Sequence, residues 1–370
     1  MSHLPSSLLI WASSTFAAAW FGTGIVRHFA RRLGLLANPR ADRWHQQPVA
    51  LHGGVGFYPP FAVIGSILLT CTAAVACPAG GGSRLSPQLG LGAALLAGSS
   101  IMFVVGLWDD VSNLRPLTKL VGQFIAATLF IVAGGTFSLS DNALFNQLLT
   151  YFWFLGITNA VNMLDNMDGL ASGVVIISSL ALAALTWQAG ASAYLGLSFA
   201  VMLAAALAGF LLYNRAPASI FMGDSGSLSI GYLAAGLAVP SQLNGYFGPM
   251  PTDNIFGHLG SLLVPALALS IPIFDTTLVT VTRKWRAQPV SQGGCDHLSH
   301  RLVRLGLHES TAVHVLYLLA VVGCILAILL QRFPRQTSPW LLLFVAVLIG
   351  SGLYLGRVKV VDAYQPRLPE

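Results

Sequence analysis

Charged residues are scarce in this chain of 370 residues. Asp, Glu, Lys and Arg together make up 9% of the sequence, whereas a soluble globular domain carries about 25%. Hydrophobic residues make up 55%, and the mean hydropathy is +0.72. So little charge argues against a soluble enzyme or a soluble binding domain, and it predicts an integral membrane protein.

Cysteines and acidic residues are also few. The cysteines lack the spacing of a metal site, so thiolate-metal chemistry is not indicated; they are Cys71, Cys77, Cys295 and Cys324. Of the thirteen acids, eleven are Asp and two are Glu. A chain that avoids acids but keeps Asp109 beside Asp110 is expected to use them for function.

Long apolar runs dominate the rest of the sequence. Most reach the 17–25 residues that a membrane-spanning helix needs, and they predict a single all-α domain over residues 1–370, a polytopic bundle of about 10–11 transmembrane helices. The predicted spans are about 8–26, 54–76, 89–107, 118–134, 146–163, 170–187, 193–213, 226–240, 259–282, 312–331 and 339–356.

The loops between these spans divide the positive charge unequally. With the N-terminus outside, sixteen Lys and Arg residues fall on the inner side and three, Arg84, Arg332 and Arg335, on the outer side. This bias predicts a cytoplasmic C-terminus. Because the net charge of +6 lies in the loops, as membrane orientation requires, we do not expect a nucleic-acid partner.

The most unusual stretch runs through residues 159–171 and reads NAVNMLDNMDGLA. Two amides and two carboxylates lie there between apolar runs, at Asn159, Asn162, Asp165 and Asp168. Acids in such a position ask for a functional explanation. One unbroken helix would turn Asp168 to the face opposite Asn159. We therefore predict that a helix ends near Asp165 and that a turn follows, with Gly169 supplying backbone freedom.

Four loops carry the unusual polar residues, about 108–119, 159–171, 214–228 and 283–311. Two predicted spans separate each loop from the next. An even number of crossings returns the chain to the same side of the membrane, so the four loops are expected to converge there. With the charge bias, that side is the cytoplasmic face, and it is the predicted position of the active site.

The residue types in these loops suit phosphate and metal binding. Adjacent Asp109 and Asp110 are hard to ionise together without a cation. Carboxylate oxygens with substrate phosphates are the usual environment of Mg²⁺, and phosphoryl transfer depends on positioning and charge neutralisation. Phe221, next to a glycine-rich turn, is suited to stack on a base. Four further side chains are suited to hold phosphate oxygens, namely Lys119, His297, His300 and Arg301.

Simpler interpretations exist for the same residues. They are a solvated loop for Asp109–Asp110, a helix N-cap for Asp224, a membrane-boundary residue for Lys119, polar loop residues for His297 and His300, and a structural hydrogen-bonding group for Asp275. The presence of all four motifs on one face favours a functional cluster over this set of separate explanations.

Together the motifs resemble the polyprenyl-phosphate N-acetylhexosamine-1-phosphate transferases, which share a superfamily with the phospho-N-acetylmuramoyl-pentapeptide transferases. The resemblance covers about residues 38–310. Asp109-Asp110 with Lys119 is similar to the first aspartate motif of that family, and the 159–169 stretch is similar to the second. Residues 221–227 resemble the third motif, residues 296–301 the histidine loop, and residues 48–54 the first cytoplasmic loop.

The resemblance implies a reaction. A UDP-activated N-acetylhexosamine, in the first instance GlcNAc, and undecaprenyl or another polyprenyl phosphate give polyprenyl-pyrophosphoryl-sugar and UMP. This reaction initiates a cell-envelope polysaccharide in the bacterial inner membrane. The resemblance also implies Mg²⁺, with Mn²⁺ as an alternative, and it is compatible with a homodimer.

Site residues follow from the resemblance by position. The implied catalytic residues are Asp109, Asp110, Asp168 and His297, and either Asp109 or Asp110 would deprotonate or orient the lipid phosphate. The implied metal ligands are Asp224 and Asp165. The implied substrate-binding residues are Lys119, Asn159, Asn162, Asp165, Phe221, His300 and Arg301, with Phe221 on the uracil.

Three positions depart from the family pattern. Asn166 stands where a glycine is common, Ser299 where another histidine is common, and His52 where a basic residue is frequent. The muramoyl-pentapeptide enzymes are the first alternative, but their loop is similar to three histidines without a close Asp. A membrane prenyltransferase would need a second aspartate-rich motif. A transporter would carry its acids near mid-membrane in broken helices.

Overall fold

The computed structural model describes residues 6–37, 48–76, 86–188, 193–241, 255–289, 294 and 296–358. Cys77, Cys295 and Arg84 lie outside these ranges, as do parts of the fourth predicted loop. The described part of the chain is almost entirely helical, which confirms the predicted all-α membrane bundle.

The helices follow the apolar runs of the sequence. They are α1 (Ser6–Arg32), α2 (Gly54–Ala76), α3 (Pro87–Ser112), α4 (Pro116–Val132), α5 (Ala143–Leu164), α6 (Leu170–Trp187), α7 (Tyr194–Asn214), α8 (Gly223–Ala238), α9 (Ile255–Ala268), α10 (Ser270–Trp285), α11 (Leu298–Arg304), α12 (Glu309–Arg332) and α13 (Pro334–Gly356). Proline at the first position begins α3, α4 and α13, where its missing N–H would have no partner in any case.

Seven of the described helices are long and apolar enough to cross a bilayer alone: α1, α2, α3, α6, α7, α12 and α13. Helix α4 is an apolar helix of 17 residues, α8 has 16 residues, and α5 carries several amide side chains. Large apolar side chains such as Phe21, Phe152 and Leu342 are exposed on the outside of the bundle. That surface suits contact with lipid chains, and the protein is a multi-pass membrane protein.

The ninth predicted span, 259–282, is not one continuous helix. Helices α9 and α10 meet at Leu269 at an angle of 86°. Pro272 explains the break, because it lacks an N–H and its ring would clash with the carbonyl of Ala268, four residues earlier. The freed Ala268 carbonyl accepts a hydrogen bond from Ser178 Oγ at 2.6 Å, and Cys324 Sγ lies 3.6 Å from it. The break is therefore satisfied from two other helices.

Helices α3 and α8 approach so closely that glycines are needed between them. A Cβ at Gly106 would overlap the carbonyl oxygen of Asp224, and one at Gly98 would overlap the hydroxyl of Tyr232. Tyr232 is buried and donates to the carbonyl of Ala126 on α4 at 2.8 Å. This packing brings the C-terminal end of α3, with its two aspartates, against the first turn of α8.

A short extended segment crosses the same end of the bundle. Strands β1 (Leu36–Ala37) and β2 (Val49–Ala50) pair antiparallel, and Ala50 also forms a parallel bridge with Ile220. The N–H of Gly53 then donates to the Phe221 carbonyl at 2.8 Å, and that of Gly54 to the Met222 carbonyl at 2.8 Å. Residues 48–54 are therefore attached to the loop that leads into α8.

Candidate active site

The first turn of α8 is capped by a carboxylate from another helix. Asp110, on α3, accepts the backbone N–H of Asp224 on Oδ1 at 2.7 Å and that of Ser225 on Oδ2 at 3.1 Å. These are orphan donors of the helix terminus, where negative charge is favourable. Gly223 has a φ of +75°, and a Cβ there would lie 2.8 Å from Asp110 Oδ2. The glycine therefore lets the carboxylate approach the helix.

Asp224 itself is not the N-cap of α8, so that simpler interpretation was wrong. Its carboxylate accepts from Lys119 Nζ at 3.0 Å and from Asn162 Nδ2 at 3.1 Å. Lys119 also donates to Asp109 Oδ2 at 2.9 Å, and Asp109 Oδ1 accepts the N–H of Leu114 at 2.6 Å. One ammonium group thus joins two carboxylates from α3 and α8 at the centre of the site.

The two asparagines of the second motif have different surroundings. Asn162 donates to Asp224 and also to Ser227 Oγ at 2.8 Å, so it faces the carboxylate cluster. Asn159 instead exchanges two hydrogen bonds with Gln123 on α4, at 2.8 and 3.0 Å, and donates to the Leu155 carbonyl. The amide of Asn159 therefore links α4 to α5, which argues against the expected substrate contact.

The turn after α5 has the predicted form. The helix ends at Leu164, Asp165 follows as its C-cap, and Gly169 has a φ of +73°. Asp165 is half-buried. Burial, together with the nearby charges of Asp224, Asp110 and Asp168, raises the pKa of Asp165 to about 7. The cluster therefore holds more negative charge than its lysine balances.

Hydrogen bonds from other segments fix both sides of this turn. Asp168 Oδ2 accepts the N–H of Ala218 at 2.7 Å, and the N–H of Gly169 donates to Asn214 Oδ1 at 3.2 Å. Asn214 in turn donates to the Ile220 carbonyl at 3.0 Å. Tyr317, from α12, donates its hydroxyl to the Gly169 carbonyl at 2.6 Å. The second and third motifs are thus held together by hydrogen bonds between side chains and backbone groups.

The histidine loop is anchored by a buried carboxylate. Asp275, on α10, is fully buried; its Oδ2 lies 2.8 Å from His297 Nδ1, and its Oδ1 accepts the N–H of Leu298 at 2.6 Å. An acceptor at Nδ1 fixes the tautomer and leaves Nε2 for another partner. The ring of His300 lies 6.2 Å from that of His297. Burial and the neighbouring His297 lower the pKa of His300 to about 4.

Arg301 does not face the carboxylate cluster. Its guanidinium is fully buried and donates to the carbonyls of Asp296 and Leu355 at 2.7 Å and to Thr282 Oγ1 at 2.9 Å. These contacts tie α11 to α10 and α13. Because three structural acceptors occupy the guanidinium, its placement argues against the expected phosphate contact. Asp296 is likewise engaged, because Arg283 donates to both of its oxygens and holds its pKa below the usual range against the effect of burial.

Two of the residues that depart from the family pattern, Asn166 and Ser299, contact each other. Ser299 donates its hydroxyl to Asn166 Oδ1 at 2.7 Å, and Asn166 donates to the Met163 carbonyl at 2.9 Å. The histidine loop is therefore joined to the turn after α5. All four motif loops meet at one end of the bundle.

Phe221 lies where the 48–54 segment meets the third motif. Its N–H donates to the Ala50 carbonyl at 2.8 Å, and its carbonyl accepts from Gly53. The side chain is half-buried. The backbone of Phe221 is therefore fixed, while stacking of its ring on a base stays a prediction.

Within the described ranges, no three His, Cys, Asp or Glu side chains form a closed metal cluster. Mg²⁺ rarely uses such a cage; it takes one or two carboxylates with waters and substrate phosphates. The Asp224 carboxylate, near Asp165 and next to a displaceable ammonium, has the donor chemistry for that kind of binding.

Known proteins match this chain along most of its length. The profile of glycosyl transferase family 4 matches residues 93–242. A Mycobacterium tuberculosis protein named "Decaprenyl-phosphate N-acetylglucosaminephosphotransferase" is 30% identical over 378 residues, covering 94% of this chain and 89% of the relative. A Bacillus subtilis protein named "Probable undecaprenyl-phosphate N-acetylglucosaminyl 1-phosphate transferase" is 29% identical over 336 residues, 88% of this chain and 85% of the relative.

The chain belongs to glycosyl transferase family 4. It is a membrane-embedded transferase, and the resemblance seen in its motifs is confirmed. A Streptococcus thermophilus "Phospho-N-acetylmuramoyl-pentapeptide-transferase" is also similar, with 34% identity over 171 residues, but that match covers 41% of this chain and 50% of the relative. The matches to the N-acetylglucosamine-phosphate transferases therefore cover a much larger part of this transferase.

Sequence reasoning missed several residues that hold the site of this family 4 transferase together. Gln123, Asn214 and Tyr317 were not singled out, although the first two are buried polar residues at apolar spans. A polar side chain inside such a span was the available signal. Arg283 was counted only as a positive loop residue, whereas it pairs with Asp296.

Proposed function

We propose that this transferase moves N-acetylhexosamine-1-phosphate, with GlcNAc-1-phosphate as the first candidate, from a UDP-sugar to undecaprenyl or another polyprenyl phosphate, with release of UMP. The proposal rests on the similarity to the two GlcNAc-1-phosphate transferases and on one structural observation. Lys119 lies between the carboxylates of Asp109 and Asp224, within hydrogen-bond distance of both. Trp108, Val111 and Leu117 are exposed apolar side chains next to the first motif and suit a lipid acceptor, and the loops suit a soluble donor.

In the proposed reaction, an oxygen of the lipid phosphate attacks the sugar-bearing phosphorus of the donor. A new P–O bond forms, the bond from that phosphorus to the oxygen it shares with the uridylyl phosphate breaks, and the electron pair leaves on UMP. Lys119 is suited to exchange its carboxylate partners for phosphate oxygens, since an ammonium group is a mobile point charge. We assign Asp109 to the orientation of the lipid phosphate, and Asp110 to the start of α8.

The carboxylates of Asp224 and Asp165 are the proposed Mg²⁺ ligands. When bound, the cation would neutralise charge on the donor pyrophosphate. Asn162 supports this arrangement, because its amide donates to Asp224 and fixes the orientation of that carboxylate. Asp168 holds the backbone at Ala218, which leads into the third motif. We propose that it shapes the nucleotide site through this contact.

His297 is proposed to contact the donor through Nε2, which donates to a phosphate oxygen when both ring nitrogens carry protons. The support for this role is Asp275, which engages Nδ1 and the adjacent backbone and so leaves the ring one free direction. His300 lies beside it and is proposed to contact substrate as a neutral imidazole. Phe221 is proposed to stack on uracil, and Arg301 to hold the loop from inside the protein.

We propose a location in the bacterial inner membrane, with the active site and the C-terminus in the cytoplasm and the N-terminus outside. Single cysteines at Asn113, next to the site, and at Asp141, at the other end of α4, test this orientation, since both residues are exposed. A membrane-impermeant thiol reagent added to intact cells is expected to label the second and not the first. Labelling of the first alone contradicts the orientation.

The activity itself is tested with the purified transferase, polyprenyl phosphate and a panel of UDP-sugars. UMP release that requires both the lipid and a UDP-N-acetylhexosamine supports the proposal. Release only with the UDP-muramoyl-pentapeptide donor would assign the alternative branch. Release of diphosphate, or uptake into proteoliposomes without turnover, would reject both assignments.

A further inference from the structure

His52 has a backbone conformation that a non-glycine residue adopts rarely. It lies immediately before Gly53 and Gly54, and its φ is +63°, in the left-handed region. Such a conformation is unfavourable for a side chain with a Cβ, and it persists where the surrounding structure fixes it. Glycine would adopt it without strain. The chain has histidine there instead of glycine, so we expect the imidazole to have a role.

Backbone hydrogen bonds fix the two residues that follow His52. The N–H groups of the next two residues donate to the carbonyls of Phe221 and Met222 at 2.8 Å. A Cβ at Gly54 would overlap the backbone of Gly226, which shows how closely this segment packs on α8. The position of His52 relative to the start of α8 is therefore defined by backbone contacts.

The imidazole faces the carboxylate that caps α8. Nδ1 of His52 lies 3.8 Å from Asp110 Oδ2. This nitrogen is inaccessible to solvent and has no hydrogen-bond partner within the described residues. An unsatisfied buried polar atom is unfavourable and asks for an explanation. A movement of about 1 Å would bring the two atoms to hydrogen-bond distance.

Asp110 is the residue through which such a contact acts. Its oxygens already accept the N–H groups of Asp224 and Ser225, so its position sets the position of the first turn of α8. That turn carries the Asp224 carboxylate between Lys119 and Asn162. A third partner on Asp110 restricts the movement of the whole turn.

We propose that His52 is a positioning residue: a movement of about 1 Å brings its Nδ1–H to Asp110 Oδ2, and this contact fixes the first turn of α8, and with it Asp224. The expected effect of His52 on turnover rests on the proposed function. The expected effect of His52 on the position of α8 rests on the geometry alone. Removal of a residue that orients a ligand-binding side chain, without touching the ligand itself, typically lowers activity by about 10–100-fold.

Three substitutions of His52 separate the effect of the imidazole from the effect of the backbone conformation. His52→Gly removes the ring and relieves the positive φ. His52→Asn keeps a donor near the position of Nδ1 and tolerates the left-handed region. His52→Gln puts its donor near the position of Nε2. Ala287→Gly is the matched control, because Ala287 is exposed, has a φ of +54° and carries no polar side chain.

The expected result is a loss of kcat by about 10–100-fold in His52→Gly and His52→Gln, with KM for both substrates within about twofold of the natural protein. His52→Asn is expected to retain most of the activity. The melting temperature is expected to stay the same or rise in His52→Gly and in the control, and the control keeps its turnover. Full activity in His52→Gly, a loss in His52→Asn as large as in His52→Gly, or a loss that parallels unfolding would overturn the proposal.

Hydrogen exchange gives a readout that needs no turnover. The amides of Asp224 and Ser225 are expected to exchange faster in His52→Gly than in the natural protein, and at near-natural rates in His52→Asn. Equal rates in all variants overturn the role of His52. If the natural protein releases no UMP with any donor, the proposed function fails, but the exchange experiment still decides whether His52 positions α8.

Discussion

Removing the charge of Asp224 while keeping its shape separates catalysis from stability. In the natural protein, Asp224 accepts from the Asn162 amide at 3.1 Å and from Lys119 at 3.0 Å. Asp224→Asn keeps an oxygen for Asn162 but gives Lys119 a neutral amide as its partner. The start of α8 is unaffected, because the cap is Asp110 rather than Asp224. The fold is therefore expected to survive the change.

The magnitudes differ strongly between the two effects. Asp224 has 29% of its side chain exposed, so its pairing with Lys119 is screened and contributes about 1 kcal/mol or less to stability. Removal also relieves repulsion from the neighbouring carboxylates, which offsets part of that loss. Loss of one preorganised charge in the transition state for phosphoryl transfer is expected to reduce kcat by about 10²–10³-fold, or about 3–4 kcal/mol.

The assay is UMP release by the purified variant across a Mg²⁺ titration, with thermal unfolding measured beside it. Asp141→Asn is the matched control, since Asp141 is an exposed acid at the other end of α4. We expect a large loss of kcat with a melting temperature close to that of the natural protein. Near-normal turnover of Asp224→Asn at low Mg²⁺ would refute the assignment of Asp224 to the metal and the mechanism built on it.

Three further changes test other parts of the site. Gly223→Ala adds a Cβ at a φ of +75° against the capping carboxylate, and is expected to lower the melting temperature and the activity. Gly156→Ala, in the interior of α5, adds a Cβ that meets no other described element within 4 Å, and is expected to keep the activity and to leave the melting temperature unchanged or slightly higher. Asp275→Asn is expected to cut kcat about 10²-fold or more by disordering His297, and unchanged kinetics would contradict this. Because the pKa of His300 is lowered to about 4 in the folded protein, the unfolded chain takes up a proton at this residue at a higher pH. The free energy of unfolding is therefore expected to be unaffected by this residue above about pH 6.5 and to fall by about 3 kcal/mol as the pH is lowered to about 4. His300→Gln should remove this acid limb from melting curves, and an unaltered limb would assign it elsewhere.

The elements that local patterns determine were predictable, and the contacts between distant residues were not. The end of α5 near Asp165 and the left-handed Gly169 follow from helical geometry and from a glycine in the right place. The role of Asp110 depends on an α8 amide 114 residues away, which no local pattern contains. The break before α10 was overlooked although Pro272 was visible, because a buried proline break also needs a donor such as Ser178 from another helix.

The same reasoning explains why the placement of Arg301 could not be predicted from the sequence. Arginine in a polar loop suits phosphate, and the sequence cannot tell whether the side chain turns to the site or to the interior. Here three acceptors on α10, α13 and the loop itself surround the guanidinium. Burial of an always-charged group requires such partners, so the residue is committed to the fold.

The charge balance of the site connects its structure to the proposed chemistry. The cluster holds four aspartates and one lysine: Asp110 is compensated by the amides of α8, and Asp109 and Asp224 share Lys119. Burial and the charges of the neighbouring carboxylates both oppose ionisation of Asp165, which is why its pKa rises to about 7. A donor pyrophosphate would add still more negative charge, so binding without a divalent cation would be strongly unfavourable. A metal and a nucleotide that bind together, with Lys119 released to the phosphates, remove this excess. We therefore expect UDP-sugar and Mg²⁺ to bind with positive coupling, and independent binding of the two in calorimetry would contradict the proposed role of the cluster.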